Sequence, residues 1–322
     1  MELKGLHHVT AVTGSAQANV DFYMQVLGLR LVKRTVNQDD VSAYHLFYGD
    51  ETGSAGTEIT FFEWAHMPPN VPGPRSVVRT SLRVPSVDSL AWWADWLSDH
   101  QVNHGGITEF AERKQIVFTD PEGQALALVD DGGKEGGTPW AASPVPAQHA
   151  IRGLDSVNLA VHQLDPTAHV LTEVMGLRKV GVFPAPLNPE EQVHVYETAE
   201  GGAGTRVHVI EQEGRPAGRL GHGGVHHVAF RTPNGEEQID WMNRLRGAGL
   251  QATDPIDRFY FRSVYFREPG GILYEIATDG PGFATDEDAA HLGESLALPP
   301  FLEPHRARIE AGLNPIELPV RA

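Results

Sequence analysis

One order of elements recurs four times along the chain, and this repetition constrains the fold more than any other feature. Residues 6–29, LHHVTAVTGSAQANVDFYMQVLGL, read as a short β-rich run, a turn and an amphipathic helix ending at Gly28. The same order returns at 77–97, 154–177 and 225–250, and Asn234 with Glu237 fits a capping box for the last helix. β-rich runs follow each helix and end in a turn and a closing strand: GSAGTEITFF, DPEGQALALV, GGAGTRVHVI and EPGGILYEIA. The expected fold is therefore α+β, with four βαβββ modules forming two cupped mixed or antiparallel sheets. Two modules fall in 1–135, a Gly/Pro-rich linker in 136–150 and two more modules in 151–279. Residues 280–322 read as a C-terminal extension with one or two helices and a Pro-rich stretch.

Aligning the units on their turns places the first-strand slot at His8, Thr80, Val157 and His227, in steps of 72, 77 and 70 residues. The closing-strand slot falls at Phe61, Ala127, Val209 and Glu275. Of these eight positions only His8, His227 and Glu275 can bind a metal. Two imidazoles and one carboxylate with the remaining positions open suit non-haem Fe(II), whereas a structural zinc site is closed by four ligands. Mn(II) is an alternative occupant, and Zn or Ni could take the site in a crystal. A lone histidine on a strand is usually a packed one, but a glutamate inside the apolar ILYEIA needs a partner to offset its desolvation. Since the set comes from units one and four, those units should share one cup, and units two and three the other. Each histidine has a neighbour, His7 and His226. Strict alternation points the pair members to opposite faces, and His8 is in phase with Thr10 and Val12, so His8 and His227 are taken as inward, while a one-residue shift of register would exchange the members of each pair.

Composition narrows the function classes. The 322 residues suffice for two domains of ordinary size, and no cysteine is present, which removes disulfides, thiolate chemistry and iron–sulfur clusters. A net charge of −17 repels phosphate backbones and argues against nucleic acid. No apolar run is long enough to cross a bilayer and MELKGLHHVT lacks the order of a secretory signal, so a cytoplasmic protein without a membrane partner is expected. A homo-oligomer is compatible with all of this.

HHVT, VHHVAF and GILYE, in that order, together with VKRT, GTEITFF, DRFYFRSVYFREPGGILYEIA and GFATDED, resemble the vicinal oxygen chelate superfamily. This superfamily includes glyoxalase I, bleomycin resistance proteins and extradiol dioxygenases. Within it the chain is most similar to hydroquinone-type ring-cleaving dioxygenases. The resemblance implies an extradiol-type enzyme that opens a small dihydroxylated aromatic ring with O₂, using iron on His8, His227 and Glu275. It further implies supporting or catalytic roles for His7, Thr10, His226, Arg258 and Tyr265, with His226 as an acid–base group. Two other functions compete: a glyoxalase-like isomerase or lyase using the metal as a Lewis acid, and a small-ligand binding protein. Glyoxalase-like enzymes use four protein ligands, and Phe61 stands in the fourth slot.

Overall fold

In the computed structural model, which describes residues 1–186, 188–198 and 200–319, the four repeats become sixteen strands. Unit one supplies β1 (Leu6–Thr13), β2 (Arg30–Asn37), β3 (Asp40–Gly49) and β4 (Glu58–Glu63). Unit two supplies β5 (Ser76–Val84), β6 (His104–Phe110), β7 (Arg113–Thr119) and β8 (Ala125–Asp130). Unit three gives β9 (Leu154–Val161), β10 (Arg178–Ala185), β11 (Asn188–Glu197) and β12 (Arg206–Glu211). Unit four gives β13 (Val225–Thr232), β14 (Ile256–Asp257), β15 (Arg262–Arg267) and β16 (Leu273–Thr278).

After the first strand of each unit comes a helix: α1 (Ala16–Val20), α2 (Val87–Asp99), α3 (Leu164–His169) and α4 (Gly235–Gly247). α1 and α3 continue as π-helical turns to Val26 and Val174. Ser15, Ser86 and Asn234 cap α1, α2 and α4 by accepting from backbone N–H groups of the first turn, which otherwise have no partner. Asn234 receives both Glu236 N and Glu237 N.

Two eight-stranded sheets result. One runs β14-β15-β16-β13-β1-β4-β3-β2 and the other β10-β11-β12-β9-β5-β8-β7-β6. Units one and four therefore share the first cup, and units two and three the second. Both sheets are mixed. The first strand of each unit runs parallel to the last, and the two first strands at the centre run antiparallel. Alternate strand residues on the helix side, among them Val9, Leu82, Leu159 and Val228, pack with Tyr23, Trp93, Leu171 and Trp241 in one continuous core. The opposite, concave faces are left free to carry polar side chains. The halves are stitched by Leu6 N donating to Gly204 O and Leu154 N to Gly56 O. Gly5 and Gly153, both at positive φ, permit this: a Cβ there would lie 2.7 and 2.8 Å from those carbonyl oxygens.

Residue pairing shows that the turn-based slots were misaligned by one residue in four of eight places. On the central strands, a bulge at His7–His8 on β1 and another at His226 on β13 flank the paired residues. In the second sheet the bulges fall at Val78 on β5 and Asp155 on β9. Counting from the bulges, the counterparts of His8 and His227 are Arg79 and Ser156, not Thr80 and Val157. The closing-strand counterparts of Glu275 are Thr60, Ala127 and His208, because Thr10 pairs with Thr60, Ser81 with Ala127, and Asn158 with His208 as Ala229 does with Glu275. Phe61, Val157 and Val209 all sit in the helix-side core. An inserted residue is invisible when strands are counted from their turns.

Beyond β16 the chain crosses the first sheet through short 3-10 turns and α5 (Arg306–Gly312). Phe283 packs on Phe47, and the fully buried Lys33 is paired with Asp286 at 2.7 Å and with Glu287.

Candidate metal centre

His8 on β1, His227 on β13 and Glu275 on β16 meet on the concave face of the first cup, each 3% exposed or less. His8 Nε2 lies 3.3 Å from His227 Nε2, and Glu275 Oε2 lies 3.2 and 3.0 Å from the two. Three donors each about 2.1 Å from one ion are about 3.0 Å apart at octahedral angles and about 3.4 Å apart at tetrahedral ones. The spacing therefore fits a single small divalent cation. Glu275 Oε2 is buried and receives no hydrogen bond of good geometry, while Ser263 Oγ donates to Oε1 at 2.5 Å. Burial alone would raise the Glu275 carboxyl, but the His8 and His227 imidazoles outweigh it and hold the group well below the usual range.

The histidine doublets do not alternate as expected. His7 Nδ1 is 2.9 Å from His8 Nδ1, and His226 Nδ1 is 2.8 Å from His227 Nδ1. Rings that close must lie on the same side of their strand, and the bulges turn them so. The first doublet then fixes its own tautomers. Thr278 O can only accept, so His7 Nε2, 3.1 Å away, carries the proton. Burial lowers His7 to about 3, so the ring is neutral and its Nδ1 accepts from His8 Nδ1–H. The other ring nitrogen, His8 Nε2, faces Glu275 and His227. Burial likewise lowers His226 to about 3. His226 Nδ1 and His227 Nδ1 share one proton, an arrangement in which the neighbour orients a prospective ligand.

A second cluster, His7, His8 and Glu58, also lies within metal-binding reach. Both ring nitrogens of His7 are already engaged there. Glu58 is pushed well above the carboxylate range by burial, so it is a neutral buttress 3.6 Å from His7 Nδ1.

Beside the triplet opens a narrow cavity of about 40 Å³, lined by His8, His227, Arg258, Tyr265, His45 and Phe62 among others. Tyr265 stands opposite Glu275 in register, and burial raises its phenol. The Arg258 guanidinium lies 5.6 Å from the Tyr265 ring and donates to Asp39 at 2.8 Å. Burial opposes the Arg258 charge, but Asp39 and Tyr265 outweigh it. His7, Thr10 and His226 are not part of this wall. His7 and His226 lie against the prospective ligands, and Thr10 bonds Thr60 at 2.8 Å.

The acid–base role that the resemblance implies for His226 is left to its Nε2, because its Nδ1 is occupied by His227. Besides His8 and His227, the wall holds the imidazole of His45, bonded to Thr60 at 3.0 Å between Phe47 and Phe62 and kept neutral by burial. Sequence reasoning passed over His45. Its signal was the in-phase set His45, Phe47 on β3, legible only once β3 is known to pair with β4. A larger groove of about 700 Å³ runs beside α1 and α2 past Trp96 and Trp140, and it shares no lining residue with the metal-binding sets found among the described residues.

The family model described as the Glyoxalase/Bleomycin resistance protein/Dioxygenase superfamily matches residues 5–128 and 153–276. MhqA of Bacillus subtilis, described as a candidate ring-cleaving dioxygenase, is 45% identical over 98% of this chain and 100% of its own. A chlorohydroquinone/hydroquinone 1,2-dioxygenase of Sphingobium indicum is 31% identical over 94% of this chain and 93% of its own. The crystal structure of a candidate dioxygenase from B. subtilis superposes with a TM-score of 0.91 at 40% identity, covering 99% of both chains.

Proposed function

The chain belongs to the glyoxalase/bleomycin resistance protein/dioxygenase superfamily, and from that premise we propose that it is an Fe(II)-dependent, extradiol-type dioxygenase. Its substrate is a small dihydroxylated aromatic ring, hydroquinone before catechol, which it opens with O₂. His8, His227 and Glu275 hold the iron. One observation carries this reading: three donor atoms 3.0–3.3 Å apart, one of them a buried carboxylate oxygen, beside an aromatic-lined cavity whose wall includes both histidines.

When bound, the metal supplies electron transfer between ring and O₂ and lowers the pKa of a coordinated hydroxyl. The chain's own residues do the rest. Phe62, Phe47 and Phe261 present apolar faces that select a flat ring and exclude water. Tyr265 and Arg258 offer O–H and N–H donors to substrate oxygen, stabilising anionic charge as it develops. His45, neutral and in the wall, is placed to take a hydroxyl proton. His7 and His226 keep the ligand rings in the tautomer that binds.

Anaerobic reconstitution with Fe(II), then oxygen-uptake assays with hydroquinone and catechol, tests the reading. The expected result is stoichiometric O₂ consumption with loss of the aromatic absorbance. Failure with every dihydroxylated ring, while the metal-loaded protein isomerises or hydrolyses another substrate, moves the assignment to Lewis-acid chemistry.

A further inference from the structure

The counterpart of the metal centre in the second cup carries a different chemistry. Arg79, Asn158 and His208 stand opposite one another on β5, β9 and β12, and side chains paired this way project from the same face. The adjacent in-phase row holds Ser81, Ser156 and Arg206. Arg79 Nε, Asn158 Oδ1, Ser156 Oγ and both ring nitrogens of His208 are buried without a hydrogen-bond partner among the described residues. Five such atoms on two neighbouring rows are far more than a satisfied sheet carries. Phe110 brings the row together: the Arg79 guanidinium lies 6.0 Å from its ring centre and the His208 ring 5.5 Å.

The charges there do not cancel. Arg113 is paired with Asp155 at 2.6 Å, and Arg206 with Glu197 at 2.7 Å, which leaves Arg79 as the surplus cation. Arg79 is partly buried, with its Nε out of water and unpartnered among the described residues, and a bidentate oxyanion is the group whose geometry matches a guanidinium. Around it, Phe110, Val193 and Val195 form an apolar cluster under the β10–β11 hairpin.

We propose that the second cup is a binding site for a small monocarboxylate, with Arg79 taking the carboxylate, Ser156 and His208 donating to it, and the apolar body lying against Phe110. A single negative charge matches the single surplus cation; a phosphate dianion would face Asp155 and Glu197 with its second charge unmatched. Nothing in this site depends on the metal.

The test uses the full chain stripped of metal by chelator, so that the first cup cannot capture the anion through an ion. Unfolding temperature and calorimetric heat are followed in sodium acetate, sodium benzoate and inorganic phosphate, each against sodium chloride at equal ionic strength. Acetate and benzoate should give a saturable rise of roughly 4 °C, with phosphate no better than chloride. Arg79→Met should abolish the rise in acetate and in benzoate. Should that variant not fold, Arg79→Lys, which keeps the charge but not the fork, should weaken carboxylate binding at least tenfold. His227→Ala should respond as wild type does, separating this site from the proposed iron centre. A flat wild-type response, an undiminished one in both Arg79 variants, or tighter binding of phosphate than of acetate overturns the proposal.

Discussion

The two cups are built from the same strand order and the same bulge positions, yet they finish in opposite chemistry. The first gathers three lone-pair donors, His8, His227 and Glu275, around a point that suits a cation. The second puts Arg79, Ser156 and His208 at the matching positions, with a cation in surplus. Their covers differ in the same sense. The β2–β3 hairpin of the first brings Thr35, Asn37, Gln38 and His45 to an open cavity, while the β10–β11 hairpin of the second contributes Ala185, Val193 and Val195 to an apolar cluster. A duplicated scaffold thus fixes where a site can be, and a few inward side chains fix what it binds.

The sharpest way to break this comparison is to truncate matching positions. His227→Ala should lose at least nine-tenths of its iron and fall at least a thousandfold in oxygen uptake. His208→Ala should stay within twofold on both counts. Metal analysis and an oxygen electrode read the two variants side by side, and full turnover in His227→Ala would remove the first cup from the chemistry.

Acid should strain both cups of the metal-free protein. His7 and His226 are held near 3 by burial, and burial also lowers His208. The unfolded chain protonates these rings near 6.5 while the folded chain cannot, so the unfolded state binds more protons between about 6.5 and about 3. Stability is therefore full above pH 6.5 and falls below it, by on the order of 2 kcal/mol per imidazole at pH 5. Urea unfolding midpoints at pH 7.5 and 5 measure this; a midpoint that does not move contradicts neutral buried rings.

His226→Ala sharpens the role of the doublets. If the ring only orients His227, iron affinity and activity should fall together, by about 10–100-fold. A far greater fall in activity than in iron affinity would restore an acid–base role to His226. The smallest effect is expected at the mouth of the first cup. Asp39→Asn removes the partner that competes for Arg258, and a half-exposed pair of this kind is worth about 1 kcal/mol or less. The Michaelis constant for hydroquinone should drop by no more than about fivefold with kcat unchanged; a rise would mean that Asp39 holds Arg258 in its working position.

Much of the architecture was legible because alternation and helical periodicity repeat four times, and each copy corrects the reading of the others. The pairing of unit one with unit four followed from a chemical demand, that His8, His227 and Glu275 should meet. The inward direction of His7 and His226 was not legible, since alternation assigns the two members of a doublet to opposite faces. Arg79, Ser156 and His208 were hidden by the same cause: the residue each bulge inserts shifts the phase, and the slots fell on Thr80, Val157 and Val209 instead. His45 has no local mark at all, as its place in the cavity comes from the pairing of β3 with β4.

The amino-acid sequence alone thus determined the four modules and the helix cap at Asn234, and it singled out two imidazoles and one carboxylate as the candidate metal set. These depend on periods and residue types that are local to the chain. Only the tertiary structure decided which nitrogen of each imidazole is free, which histidine faces the cavity and where the surplus charge of the second cup lies. Those properties depend on register and burial across strands more than two hundred residues apart, such as β1 against β13, and a one-residue bulge reverses a side chain's direction while leaving the sequence pattern almost unchanged.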